Sequence, residues 1–125
     1  MAPRPLIAIV DDDEEVRVAT AGLIRALGYE ARSYASAEAF LGSADANQSD
    51  CLILDVQMPG MSGPELQQQI LRSPKPAPIV FMTAYPDAKV RAGVLAAGAV
   101  TMLAKPCDGK ALVESIEVAL ASRPD

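Results

Sequence analysis

Short apolar runs alternate along the chain with longer segments in which apolar residues recur every three or four positions. The runs fall at 6–10, about 30–34, 51–54, 78–82 and 100–103, each of strand length. Four are rich in β-branched or other apolar residues, and Glu30–Tyr34 is the polar, edge-like member. Between the first two, Val16, Thr20, Leu23 and Leu27 repeat at helical spacing, with Gly28 as a stop signal. Ser36 can cap a short helix reaching about Leu41. Ser62-Gly63-Pro64-Glu65 forms a capping box, and the helix it opens carries Leu66, Ile70 and Leu71 on one side. Pro74, Pro76 and Pro78 end that helix. Pro86 suits a first helical turn. Asp108 caps a last helix whose Leu112, Ile116, Ala119 and Leu120 face inward.

Five βα units in strict alternation predict an α/β fold, a doubly wound parallel sheet with helices on both faces. Ligands of such sheets sit beyond the carboxyl ends of the strands, where strand order reverses. Asp11 and Asp12 follow the first run, Asp55 closes the third, Thr83 follows the fourth and Lys105 the fifth. All are therefore expected at one rim.

A length of 125 residues predicts one domain, with a core over about 6–121 and residues 122–125 as a frayed tail or the start of a linker. Half the residues are apolar and 4% aromatic, so Leu, Ile, Val, Ala and Met must build the core. A net charge of −5 argues against nucleic acid or an anionic membrane as partner. No apolar run approaches spanning length and no signal-peptide core is present, so a cytoplasmic location is expected. Two cysteines fit a reducing compartment. Cys51 opens one strand and Cys107 follows another, so parallel strands set them at opposite ends of the sheet, and no disulfide is expected. The absence of histidine excludes His-based triads and zinc sites. Clustered carboxylates select a hard, oxygen-loving ion such as Mg2+.

Each candidate also has a plain reading. Asp11-Asp12-Asp13 suits a solvated helix N-terminus, Asp55 a turn before Met58-Pro59-Gly60, and Thr83 and Lys105 ordinary loops. Taken together at one rim, they suit phosphoryl transfer. Converging carboxylates raise one another's pKa or recruit a cation. With Mg2+ on Asp12 and Asp55, Asp55 keeps one oxygen free to attack phosphorus. Lys105 and Thr83 can then hold the remaining phosphoryl oxygens.

These residues lie in Ile9-Val10-Asp11-Asp12, Leu54-Asp55-Val56-Gln57-Met58-Pro59-Gly60-Met61-Ser62-Gly63, Met82-Thr83-Ala84, and Ala97-Gly98-Ala99 followed by Lys105-Pro106. On those motifs the chain, from 6 to about 121, resembles the receiver domains of two-component response regulators. Ser36-Ala37-Glu38-Ala39-Phe40-Leu41 and Ala97-Gly98-Ala99-Val100 are most similar to receivers of the nitrogen-fixation regulator type. The resemblance implies a flavodoxin-like sheet of order 2-1-3-4-5 and Asp55 as acceptor of phosphate from a sensor histidine kinase or phosphotransfer protein. It implies Mg2+ bound directly by Asp12 and partly through water by Asp11, with the Gln57 carbonyl as a further ligand. It also implies a cis Lys105–Pro106 peptide and an altered face of the fourth helix, last strand and last helix. That face would be read by a downstream protein or a covalently linked output domain, the chain being a stand-alone receiver or part of a longer regulator.

Met102 and Cys107 stand where such receivers usually have aromatics. Tyr85 either covers the site or packs on its rim, and Gly93 predicts a mobile fourth helix. Two other readings compete. Asp11-x-Asp13 matches the acids of Mg2+-dependent aspartyl-phosphate phosphatases, although Glu14 follows where those prefer Thr or Gly. A flavodoxin-like cofactor binder lacks its Gly-rich phosphate loop here, which leaves a receiver-like adaptor that is never phosphorylated.

Overall fold

The computed structural model describes residues 4–123. Five parallel strands, β1 (Leu6–Val10), β2 (Glu30–Tyr34), β3 (Cys51–Asp55), β4 (Ile79–Thr83) and β5 (Thr101–Ala104), lie in the order β2-β1-β3-β4-β5. Helices α1 (Glu14–Ala26), α2 (Ala37–Leu41), α3 (Gly63–Ile70), α4 (Ala88–Ala96) and α5 (Gly109–Ser122) alternate with them, and a 3-10 turn spans Ala44–Asn47. The doubly wound architecture and the strand order are those expected. Ser122 closes α5 and Arg123 caps it, while Pro124 and Asp125 of the expected tail lie outside the described residues.

Period-two alternation sorts the central strands into two cores. Ala8, Val10, Leu52, Leu54 and Phe81 pack under α2, α3 and α4. Ile7, Ile9, Ile53, Val80 and Met82 pack under α1 and α5. Each fully buried Leu, Ile or Phe contributes about 1.5–3 kcal/mol. Cys51 is buried at the start of β3, and both it and Cys107 are free thiols.

Several expectations need correction. β4 and β5 each start one residue later than the apolar run; at β4 this is because Pro78 has no N–H to donate and serves only as acceptor, from Leu52 N–H at 2.9 Å. Pro86 is not in the first turn of α4: Asp87 caps that helix, accepting from Lys89 and Val90 N–H, and Pro86 precedes the cap. Leu27 and Leu71 are exposed, each sitting one residue past its helix as a cap, while Ala21 and Ile24 fill the inner face of α1.

Two glycines show opposite demands. A Cβ on Gly63 would stand 2.2 Å from the Asp55 carbonyl oxygen, whereas one on Gly93 meets nothing within 4 Å. Gly63→Ala is expected to cost about 3 kcal/mol or more in urea denaturation. Gly93→Ala is expected to add about 0.5–1 kcal/mol and to slow amide exchange in α4.

Candidate functional site

Register brings the candidate residues together. β1 pairs with β3 with Val10 beside Leu54, so Asp11 and Asp55 follow as neighbours. Asp55 lies beside Met82, and Thr83 beside Ala104, so Lys105 emerges next to Thr83. Its N–H donates to the Thr83 carbonyl at 2.7 Å, and the Lys105–Pro106 peptide is cis.

The acidic triplet divides its work. Asp13 caps α1, its Oδ1 accepting from Glu15 N–H at 2.9 Å and Val16 N–H at 3.4 Å. The plain helix-terminus reading therefore holds for Asp13. Asp11 instead turns inward and is 2% exposed; Oδ1 accepts from Asp13 N–H at 2.9 Å and Oδ2 meets Lys105 Nζ at 2.7 Å. Asp12 is exposed, and Asp11, Asp12 and Asp55 each offer an oxygen within 4.8 Å of the others. Asp55 is 6% exposed, with Oδ1 3.4 Å from Lys105 Nζ and 3.4 Å from the Gln57 N–H. Among the described residues its Oδ2 has no protein partner.

Electrostatics follow from this crowding. Burial first, and then the Asp11 carboxylate, push the Asp55 carboxyl up to about 6, against the pull of Lys105 and the Gln57 amide. Burial works against the Lys105 ammonium, but the hydrogen bond and charge of Asp11, with those of Asp55, outweigh it and hold its pKa above the ordinary value. Thr83 is 1% exposed, and its Oγ1 accepts from Tyr85 N–H at 3.1 Å, leaving the hydroxyl proton free to donate. Tyr85 is 70% exposed.

Other contributors carry no sequence signal. Arg17 Nη1 donates to the Asp11 carbonyl at 2.8 Å, and the Tyr34 carbonyl accepts from Asp11 N–H at 3.1 Å. Arg91 of α4 donates to the Met102 carbonyl at 2.8 Å. A cavity of about 270 Å3 beside Thr83 is bordered by Pro86, Arg91 and Met102, the last standing where receivers usually have an aromatic. At Cys107 the smaller side chain borders an apolar cleft of about 200 Å3 between α1 and α5.

The sequence profile of the response regulator receiver domain matches residues 7–117. The chain is 35% identical over 119 residues to the response regulator protein TodT of Pseudomonas putida, a match covering 95% of this chain and 52% of TodT. It is 34% identical over 111 residues to the transcriptional regulatory protein FixJ of Rhizobium meliloti, covering 89% of this chain and 54% of FixJ. It thus spans about half the length of the curated relatives it matches. Among solved structures, FixJ-N superposes with a TM-score of 0.87 at 31% identity over 99% of each chain. The response regulator StyR does so with a TM-score of 0.87 at 40% identity, covering 96% of this chain and 61% of StyR. These relatives are regulators rather than turnover enzymes, and they include the expected subgroup.

The raised Asp55 value sets a pH dependence. Folded, the carboxyl keeps its proton up to about 6; unfolded, it loses it near 4. The stabilisation is complete below about pH 4 and is lost as pH rises through about 6. With divalent ions chelated, Asp55→Asn is expected to be about 1–3 kcal/mol more stable than the parent at pH 7 in urea denaturation. Lys105→Ala should move the Asp55 titration, followed by carboxyl NMR, to higher pH.

Proposed function

Since the chain belongs to the response regulator receiver domain family, we propose that Asp55 is its phospho-acceptor, supplied by a phosphohistidine on a sensor histidine kinase or phosphotransfer protein. One observation carries this reading: the Lys105 ammonium lies 2.7 Å from Asp11 and 3.4 Å from Asp55, at a pocket that Asp12 completes. Three carboxylates against one ammonium leave the pocket short of positive charge.

The donor set suits Mg2+, which takes one or two carboxylates together with water and phosphate oxygens. Asp12, exposed, and Asp55, with Oδ2 unpartnered among the described residues, would hold it directly. Asp11 would act through water, since both of its oxygens are already engaged, and the Gln57 carbonyl would add a ligand. When bound, the ion neutralises charge on the phosphoryl oxygens.

In the transfer step an Asp55 oxygen forms its bond to phosphorus as the P–N bond breaks. The bonding pair leaves with the imidazole nitrogen, which takes a proton from solvent. Lys105 steadies one phosphoryl oxygen and the Thr83 hydroxyl donates to another, so the chain's work is positioning and charge neutralisation. The product is an acyl phosphate whose occupancy alters the face of α4, β5 and α5. A downstream protein or a linked output domain reads that face, and residues 1–125 act as one receiver. Among the described residues no helix is long and apolar enough to cross a membrane. The phosphatase reading needs Asp13 as a second catalytic acid, and Asp13 is spent on capping α1.

Incubation with acetyl phosphate, followed by intact-mass spectrometry, is expected to add one phosphate in the presence of Mg2+ and none with chelator. Asp55→Asn should abolish the addition. Labelling that survives in Asp55→Asn and disappears in Asp11→Asn would favour the phosphatase reading.

A further inference from the structure

A hydrogen bond accepted by Glu38 ties helix α2 to the loop that follows Asp55. Glu38 Oε2 accepts a hydrogen bond from Met61 N–H at 3.0 Å, across 23 residues of sequence. A Cβ on Gly60 would lie 2.7 Å from that same oxygen, and Gly60 has φ +76°, in the left-handed region that glycine enters without strain. The carboxylate therefore rests on two consecutive residues of the loop between β3 and α3.

The neighbouring amides are served from within the loop and its helix. Ser62 N–H donates to Glu65 at 3.0 Å, and Gly63 N–H to the Val56 carbonyl at 3.0 Å. The partner of Met61 N–H comes instead from a different element. The opposite side of α2 is anchored by buried Phe40, whose ring meets Tyr34 edge-on with centroids 5.4 Å apart. Tyr34 in turn accepts the Asp11 N–H at 3.1 Å. A five-residue helix thus bonds the backbone of the loop after Asp55 directly and meets that of Asp11 only through Tyr34.

An exposed carboxylate that meets one amide is often incidental. Here Gly60 leaves room for that oxygen where any side chain would displace it, which sets this contact apart. We infer that Glu38 is a positioning residue for the phosphoryl site: its carboxylate holds the loop over residues 56–62, and Gln57 with it, in the arrangement that binds Mg2+ and preserves the acyl phosphate. This inference rests on the phosphoryl-transfer reading above.

Glu38→Gln keeps an acceptor oxygen without the charge, and Glu38→Ala removes both. Glu38 is solvent-facing, so both variants should fold. In Glu38→Ala, amide exchange at Met61 and Gln57 is expected to rise about tenfold, and Mg2+ affinity by calorimetry to weaken about three- to tenfold. Glu38→Gln should stay within about twofold of the parent in both readings. Unchanged Gln57 exchange and Mg2+ affinity in Glu38→Ala would overturn the inference. So would equal losses in both variants, which would make Glu38 a nearby charge and not a tether. Acetyl phosphate labelling of the parent runs alongside. A parent that takes no phosphate ends the phosphoryl reading, and exchange at Gln57 still decides whether Glu38 holds the loop.

Discussion

Lys105 reaches between two carboxylates that the sheet has taken out of water, 2.7 Å from Asp11 and 3.4 Å from Asp55. Two such charges about 4 Å apart repel by roughly 4 kcal/mol at an effective dielectric near 20, and burial adds a desolvation cost for each. The ammonium offsets part of this, as its own raised pKa records. The remainder is visible in Asp55, which holds its proton up to about 6. A pocket left in this state gains from any added positive charge.

That arrangement depends on a parallel sheet. Only parallel strands send all their carboxyl ends to one edge, and the reversal of order between β1 and β3 places Asp11 beside Asp55. Local devices then set the backbone. Asp13 caps α1, Arg17 grips the Asp11 carbonyl, and Gly63 lets α3 begin directly against the Asp55 carbonyl. The side chains that meet the reacting group are few, and most of the nearby residues serve to fix where those few begin.

Much of this was legible in the chain because strand ends and helix caps are local. Apolar runs ending in Asp11, Asp55, Thr83 and Lys105, together with the rule for parallel sheets, already placed the site at one rim. The Ser62–Glu65 capping box appears as expected. What stayed hidden depends on tertiary contact. Asp45 is buried beneath Arg32 and Tyr34, and nothing in the polar stretch Ser43–Asp50 announces it. Arg17, Glu38 and Arg91 act through main-chain atoms of residues outside their own helices, so no motif marks them. The outward-facing Leu27 and Leu71 show periodicity continuing one residue past the last helical turn, where capping geometry takes over.

The face of α4 and β5 is packed differently from the acidic rim. α4 buries only Val94 fully, and Arg91 ties it to the Met102 carbonyl at the sheet edge. With methionine in place of an aromatic, the space beside Thr83 is bordered by a flexible thioether and a guanidinium. Whether the distant acids share one divalent site beside Lys105 is decided by titrating the 15N-labelled chain with Mn2+ and following paramagnetic broadening. One equivalent should broaden the amides of Asp11–Asp13, Val56–Gln57, Thr83–Ala84 and Lys105 together and affect far less those of Glu30, Cys51 and Ile79 at the opposite end of the strands. Broadening centred on acids away from the rim, such as Glu30, Asp50 and Glu117, with no shared saturation at the strand ends, would contradict it.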